Sequence, residues 1–383
     1  MKQTAFYKTG CFGLERETLR VDENGELAQT LHPFPDDDKH ITRDFCENQM
    51  ELVTPVCHSI QEAIASIEML DKQAKERISE NHEHIWLYSN PPHFETENDI
   101  PIARWGGEFT SKQHYREALE KRYGKRLMLF SGVHFNFSFS EELLEEWYDG
   151  NGSFREFKDN LYLRLYKQIF RHSWLLVLLT SASPFYDKSL DGDNLSGIVK
   201  GKYASLRNSE RGYWNQFIPI LEHENLQAFT DSIQNYVDKG LLFSASELYL
   251  PVRLKPRGEN SLESLAKNGV DHIELRMFDL NPLTVSGMEW NDLTFAHLLM
   301  LYLLKLPDGE FTPEQQTQAV KDHQEASLYY PEKRLISLAS EILESMYQHF
   351  RDDNTACSVI EYEQNKLNGT RLCEQIQADI ISR

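Results

Sequence analysis

Apolar and polar residues alternate most cleanly in Gly132-Val-His-Phe-Asn-Phe-Ser-Phe139, where Val133, Phe135, Phe137 and Phe139 face one way and His134, Asn136 and Ser138 the other. A period of two predicts a strand with one face on a core and the other polar. The same reading gives a strand over Phe12–Val21 with Glu15 and Glu17 on one face, and another over His272–Asp279 in which Glu274 and Arg276 share a face. Glu247–Leu254 repeats the design, opposing Leu248, Leu250, Val252 and Leu254 to Tyr249, Pro251 and Arg253. In Asp44–Glu51 the two end acids are seven residues apart and fall on one face if the segment is helical; Leu52–Pro55 then reads as a short strand. Glu47 fits neither spacing and is expected at the surface or behind the site.

Longer periods predict helices elsewhere. Residues 57–80 read as a helix capped by Ser59, residues 112–123 as a second, and residues 153–182 as a long buried one stopped by Pro184. A helix near 225–239 follows a polar stretch at 186–215, while 88–110, rich in Pro and Asn, is loop-like. Beyond Gly287 the chain reads as helical near 288–306, 312–326, 331–350 and 355–382, with breaks at Pro307-Asp-Gly and Tyr330-Pro331. The division expected is a catalytic core over 1–286 and a helical C-terminal region over 287–383, packed together as a single structural domain.

The acids on the polar strand faces change the picture, because they stand beside apolar residues rather than in a solvated charge run. Carboxylates held close together repel, and keeping them ionised takes a metal ion or an arginine. An arginine flanked by glutamates can equally be an outward salt-bridge ladder, and a lone strand histidine is often only a hydrogen-bonded structural residue. Recurrence of the i, i+2 arrangement on two strands favours a sheet-floored cleft that binds phosphates through metal ions and arginines.

Composition narrows the alternatives. Of 383 residues 40% are hydrophobic and 26% charged, a globular composition, and the formal charge of −20 argues against nucleic acid as a partner. The Met1–Lys8 segment has no apolar leader and Trp174–Leu179 is too short to cross a bilayer, so no membrane association and a cytoplasmic location are expected. The five cysteines, Cys11, Cys46, Cys57, Cys357 and Cys373, include no Cys-x-x-Cys pair, which leaves a zinc cluster or disulfide framework unsupported. Cys46, near the acids, reads as a small buried thiol. Gly197–Tyr203 is too short for a phosphate loop and lacks its Ser or Thr; His82-Glu83-His84 reads as a hydrated turn and Asp36-Asp37-Asp38 as a solvated loop.

Six segments in register resemble the bacterial glutamate-cysteine ligases, including the ligase half of the bifunctional glutathione synthases: residues 12–21, 42–55, 115–124, 131–136, 205–213 and 274–282. The resemblance implies an α+β fold related to glutamine synthetase, with a curved antiparallel sheet forming a funnel and helices outside. It further implies ATP-dependent ligation of the glutamate γ-carboxylate to the amine of L-cysteine through a γ-glutamyl phosphate, the first step of glutathione biosynthesis, with ATP and Mg2+, or Mn2+ in its place. Glu15, Glu17, Asp44, Glu51, His134 and Glu274 would be the metal ligands. Arg116, Arg276 and Glu274 would be the catalytic residues, the two arginines holding the ATP phosphates, and Arg207 would receive the glutamate α-carboxylate. Phe45, Tyr115, Leu119, Tyr213 and Tyr249 would form the wall around cysteine.

Two departures bear on these expectations. Where the family has Gln and a small polar residue, this chain has Met128 and Leu129, placed on the strand adjoining the aromatic wall, and its helical tail is short. A γ-glutamyl ligase with another acceptor amine is therefore the first alternative, and a metabolite sensor without catalysis the second.

Overall fold

The alternating segments become the strands of one antiparallel sheet. In the computed structural model, which describes residues 10–382, the strands are β1 (Gly10–Val21), β2 (Ile41–Arg43), β3 (Gln49–Val53), β4 (His84–Ile85), β5 (Gly132–Phe139), β6 (Phe185–Asp187), β7 (Ile198–Lys200), β8 (Val252–Lys255) and β9 (His272–Asp279). The main sheet has the order β2-β3-β1-β5-β9-β8, with β4 added beside the end of β1, while β6 and β7 form a separate hairpin. The Met1–Lys8 segment, read for a leader, lies outside the described residues.

Register sorts the side chains. Pairing sets Glu17 against Glu51, Glu15 against His134, Asn136 against Glu274, and Glu274 against Arg253, so one sheet face gathers polar groups from five strands. On the other face Phe12, Leu14, Leu52, Phe135, Phe137, Ile273, Leu275, Val252 and Leu254 are buried in the main core. That face is covered by α1 (Ile60–Ser79) and, after α2 (Thr110–Tyr123) and α3 (Glu141–Trp147), by α4 (Phe154–Thr180), with the later helix over Trp290–Leu303 packed against both. Ser59 caps α1 by accepting from the Glu62 amide, and Ser153 with Glu156 forms a capping box at the start of α4.

The remaining helices are α5 (Leu226–Asp238), α6 (Leu262–Asn268), α7 (Trp290–Leu303), α8 (Pro313–Ala326), α9 (Lys333–His349), α10 (Asn354–Asn368) and α11 (Leu372–Ser382). Leu293, Leu299, Val320, Leu335, Leu343 and Ile360 from the C-terminal helices join the same apolar cluster as the sheet. The single helix expected over 355–382 is two, because a turn at Gly369, whose amide bonds to Asn365, separates α10 from α11. Among the described residues no helix is long and apolar enough to cross a membrane.

Three local expectations give way to tertiary pairing. Asp44–Glu51 is not helical but a strand-turn-strand hairpin between β2 and β3; the Gln49 amide closes the turn on the Cys46 carbonyl, and Glu51 pairs with Glu17 across β1. Glu47 is buried rather than superficial, bound to Arg43 at 3.1 Å and accepting from the amides of His32 and Arg104. Glu247–Leu254 is a strand only from Val252. Glu247 ends a short 3-10 turn, buried against Arg122 and Tyr123, and Tyr249 lies on an extended loop whose amide bonds to Asn215. Of the dismissed motifs, Glu83 is buried against the Arg20 guanidinium while His82 and His84 are exposed, and Asp36 is ion-paired with Arg43.

Candidate active site

The polar face of the sheet is the floor of a cavity of about 250 Å3, walled by α2 on one side and by the segment leading into β8 on the other. Its lining includes Glu15, Glu17, Asp44, Phe45, Glu51, Tyr115, Arg116, Leu119, His134, Tyr213, Tyr249, Glu274 and Arg276, so every candidate site residue except Arg207 lines this one space. Arg207 stands in an adjoining recess that shares Tyr213, Tyr249 and Arg276 with the cavity. There its guanidinium lies against Gly132 so closely that a Cβ at residue 132 would come within 2.5 Å of Arg207 Cζ. Only glycine leaves that space.

Strand register explains the acids. Glu15 and Glu17 project from β1 on either side of His134 on β5, with His134 Nδ1 3.3 Å from Glu15 and 3.5 Å from Glu274, and Nε2 3.5 Å from Glu17. Asn136 donates to Glu15 at 3.0 Å, and the Gly132 amide to Glu17 at 2.9 Å. Opposite His134, β9 carries one extra residue between its pairings with Val133 and Phe135, a bulge of the kind that re-aims side chains beside active sites. Arg276 emerges at this bulge and donates to Glu274 at 3.1 Å.

The charges divide the floor into two ends. Glu274 is fully buried, which alone would raise its pKa, yet Lys255, Arg276, Arg253 and His134 together hold it well below the ordinary carboxylate range. At the far end burial, Glu15, Asp44 and Glu17 push Glu51 well above that range, against only Arg116. Glu17 is raised by burial despite His134, Arg207 and Arg276. Glu15 ends up low: burial and Glu274 push it up, but the bond from His134 and the charge of Lys255 outweigh them. The acidic end is thus short of positive charge, and the basic end has it in excess of its one acid.

Arg116, on α2, reaches the acidic end. Its Nε donates to the Asp44 carbonyl at 2.9 Å, its terminal nitrogen lies 3.6 Å from the Asp44 carboxylate, and the guanidinium sits over Trp105 and Tyr115. The aromatic wall is formed by Tyr213 and Tyr249, whose rings are 4.2 Å apart, with Tyr115, Phe45 and Leu119 beside them. Burial raises both tyrosine hydroxyls well above their ordinary range, so they stay neutral hydrogen-bonding groups.

The donor set fits a divalent cation. Glu15, His134 and Glu274 each offer one atom, all within 4.8 Å of one another, and the buried Glu274 Oε1 has no hydrogen-bond partner among the described residues. Orphaned buried polar atoms are uncommon, and a bound ion is one of the few things that satisfies them. Carboxylate oxygens favour hard ions such as Mg2+ or Mn2+.

Sequence reasoning missed part of the lining. Lys255 sits two residues beyond Arg253, which the alternation places on the polar face without a role; they lie 3.5 and 3.8 Å from Glu274, and Asn260 and Ser246 complete the rim. Lys255 continues the same period of two, so extending the strand by one residue would have found it; Asn260 and Ser246, on loops, leave no periodic signal. Met128 also lines the cavity, on a one-turn 3-10 helix over Arg126–Leu129 rather than on the strand, and is buried with Phe45, Leu119 and Tyr249. It is therefore part of the wall and not outside it. Leu129 packs behind, fully buried.

Comparison with known proteins gives a consistent picture. A model of the glutamate-cysteine ligase family matches residues 1–240 and 218–326. The chain is 39% identical over 334 residues to the glutathione biosynthesis bifunctional protein GshAB of Clostridium perfringens, covering 83% of this chain and 42% of that protein. It is 30% identical over 377 residues to a glutamate–cysteine ligase of Clostridium acetobutylicum, covering 85% and 78%. The fold is similar to that of a bifunctional glutathione synthetase from Pasteurella multocida, with a TM-score of 0.87 and 25% identity over 98% of this chain and 50% of that one. It is also similar to that of a glutamate–cysteine ligase from Francisella tularensis solved in complex with AMP, with a TM-score of 0.86 and 22% identity over 97% and 84%. The chain spans less than half the length of the bifunctional relatives.

Proposed function

The chain belongs to the glutamate-cysteine ligase family, and from this premise we propose that it joins the γ-carboxylate of glutamate to the amine of L-cysteine at the expense of ATP, the first step of glutathione biosynthesis. The observation that carries the reading is the polar sheet face itself: acids, one histidine, two arginines and a lysine from adjacent strands converge on one cavity whose lining includes no cysteine and a single serine, Ser246, on the loop at its rim. Phosphoryl transfer asks for positioning and charge neutralisation rather than a covalent enzyme nucleophile. That matches the inventory.

In this reading the catalytic core, over 1–286, carries all the chemistry and the helices of 287–383 buttress it. Glu15, Glu17, Asp44, Glu51, His134 and Glu274 hold Mg2+, or Mn2+, which when bound neutralises charge on the ATP phosphates. Arg116 and Arg276 bind the same phosphates from opposite ends of the cavity, and Arg253 and Lys255 add positive charge beside Arg276. Arg207 receives the α-carboxylate of glutamate. An oxygen of the γ-carboxylate attacks the terminal phosphorus of ATP and ADP leaves; the acceptor nitrogen then attacks the acyl carbon, phosphate departs with that oxygen, and the nitrogen loses a proton. The five free thiols of the chain accord with action in the reducing cytoplasm.

The reaction makes a traceable mark. With 18O in the γ-carboxylate of glutamate, one labelled oxygen per turnover is expected in the released phosphate, read by its 31P isotope shift. Unlabelled phosphate would mean that no γ-glutamyl phosphate forms.

One observation favours a second reading of the acceptor. Met128 puts a thioether and no hydrogen-bonding amide into the wall, which suits a more apolar amine than cysteine. Phe45, Tyr115, Leu119, Tyr213 and Tyr249 nevertheless keep a pocket in which a thiol can pack, and cysteine remains the acceptor we propose.

A further inference from the structure

The recess that holds Arg207 is closed from behind by a residue of α8. His323, fully buried, lines this recess with its ring edge-on to Trp214 and is not among the residues that line the main cavity. Its Nε2 lies 3.1 Å from the side-chain oxygen of Asn208, the residue next to Arg207, and its Nδ1 lies 2.8 Å from the hydroxyl of Ser173 on α4.

The hydrogen bonds fix the tautomer. Asn208 uses its amide nitrogen to donate to Ser205 Oγ and to the Met277 carbonyl, both at 2.9 Å, and a carbonyl can only accept. The amide oxygen therefore faces the imidazole, and it requires a proton on His323 Nε2; Nδ1 is left to accept from Ser173. Burial and the nearby Arg207 charge lower the His323 pKa to about 3, so the ring stays neutral throughout the working range. Ser205 in turn donates to Asp279 at 2.9 Å, and Asp279 is the buried carboxylate that, with Glu17, faces the Arg207 charge. The backbone at Arg207 is tight as well: a Cβ at Gly212 would lie 1.8 Å from the Arg207 carbonyl oxygen.

We infer that His323 is a positioning residue of the glutamate site: through Asn208 it anchors the backbone that presents the Arg207 guanidinium, coupling the C-terminal helical region to substrate binding. The inference rests on the assignment of the glutamate α-carboxylate to Arg207. Without the imidazole, Asn208 loses one of its three anchors and the Arg207 segment gains freedom where the guanidinium must meet a small carboxylate. ATP, bound at the sheet face through other residues, should not sense the change.

The test compares His323→Leu, His323→Gln and Arg207→Ala in the full chain, reading the apparent constants for glutamate and ATP separately. Arg207→Ala should raise the glutamate constant roughly ten- to a hundred-fold, as loss of a charge-assisted bond does, and leave the ATP constant within about twofold. His323→Leu should raise the glutamate constant roughly tenfold, with ATP and the rate at saturating glutamate little changed, because it strands the Asn208 oxygen. His323→Gln, which offers a donor to Asn208 and an acceptor to Ser173, should return the constant to within about threefold of the parent. Equal changes for both substrates, or no change for glutamate, in His323→Leu overturns the inference while Arg207→Ala still supports the site. An unchanged glutamate constant in Arg207→Ala instead overturns the site assignment and the inference with it. Should the leucine variant not fold, Ser173→Ala, which frees only Nδ1, must still raise the glutamate constant about threefold, and no rise there overturns the inference equally.

Discussion

Glu274→Gln is expected to abolish ADP formation, by roughly a hundred- to a thousand-fold or more, and Glu15→Gln to do the same, each with the fold intact. Glu274 is the single acid at the basic end of the floor, in reach of Arg253, Lys255, Arg276 and His134. A neutral amide there leaves three cations crowded without their counter-charge and replaces one of the two carboxylate oxygens with an NH2 group that cannot bind a cation. Glu15 faces the same His134 nitrogen as Glu274, and its neutralisation removes the second carboxylate of that group. Neither side chain packs the apolar core, so both variants should still fold, with Glu274→Gln melting somewhat earlier because its cations lose their counter-charge. The check is a coupled ADP assay alongside a melting curve, with Mg2+ held limiting so that weakened ion binding is not masked. Parental turnover in either variant under those conditions removes that residue from the site.

Lys366→Met should destabilise the chain by about 3–5 kcal/mol, the cost of stranding buried carboxylates. Lys366 on α10 is buried between α7 and α4, with its ammonium 2.7 Å from Asp292, 2.7 Å from Glu363 and 3.0 Å from the Leu179 carbonyl. Burial pushes Glu363 well above the ordinary carboxylate range even with this cation beside it. Removing the cation leaves two buried acids with no partner charge, and it unpins α10 from the helix that backs the sheet. Urea unfolding followed by tryptophan fluorescence should show the earlier midpoint. A shift below about 1 kcal/mol would mean that the group contributes no more than an exposed pair.

How much of this was legible in the sequence depends on how local each signal is. β5 and β9 could be read residue by residue, because their alternation is set by one buried and one polar face and by nothing beyond the strand. The same period placed Glu15, Glu17, His134, Glu274 and Arg276 on polar faces before any pairing was known. Asp44–Glu51 misled for a physical reason: acids seven apart satisfy a helical face, but pairing with β1 outweighs that weak local preference. Tyr249 reaches the wall from a loop held by Asn215, a contact 34 residues long that no spacing encodes. Met128 could be seen as a departure from the family pattern, yet only the fold shows that it stands in the wall. Its one-turn helix is held by Arg126 to Glu97 and to the Ser189 carbonyl, contacts that are remote in sequence.

The acceptor is where the account is most exposed, and an acceptor panel tests it most directly. Glutamate and ATP are supplied with cysteine, 2-aminobutyrate and larger apolar amino acids, singly and in competition, while ADP release and the γ-glutamyl products are measured. If Phe45, Tyr213 and Tyr249 set the choice, cysteine and 2-aminobutyrate are both ligated, within roughly tenfold of each other, because a pocket that packs a thiol cannot strongly reject a methyl of similar size. If Met128 has reshaped the wall for another amine, cysteine yields no γ-glutamyl product in competition and a larger or more apolar amine releases ADP faster at equal concentration. The first result is the one predicted, and the second would contradict cysteine as the acceptor while leaving the ligase chemistry of the sheet face in place.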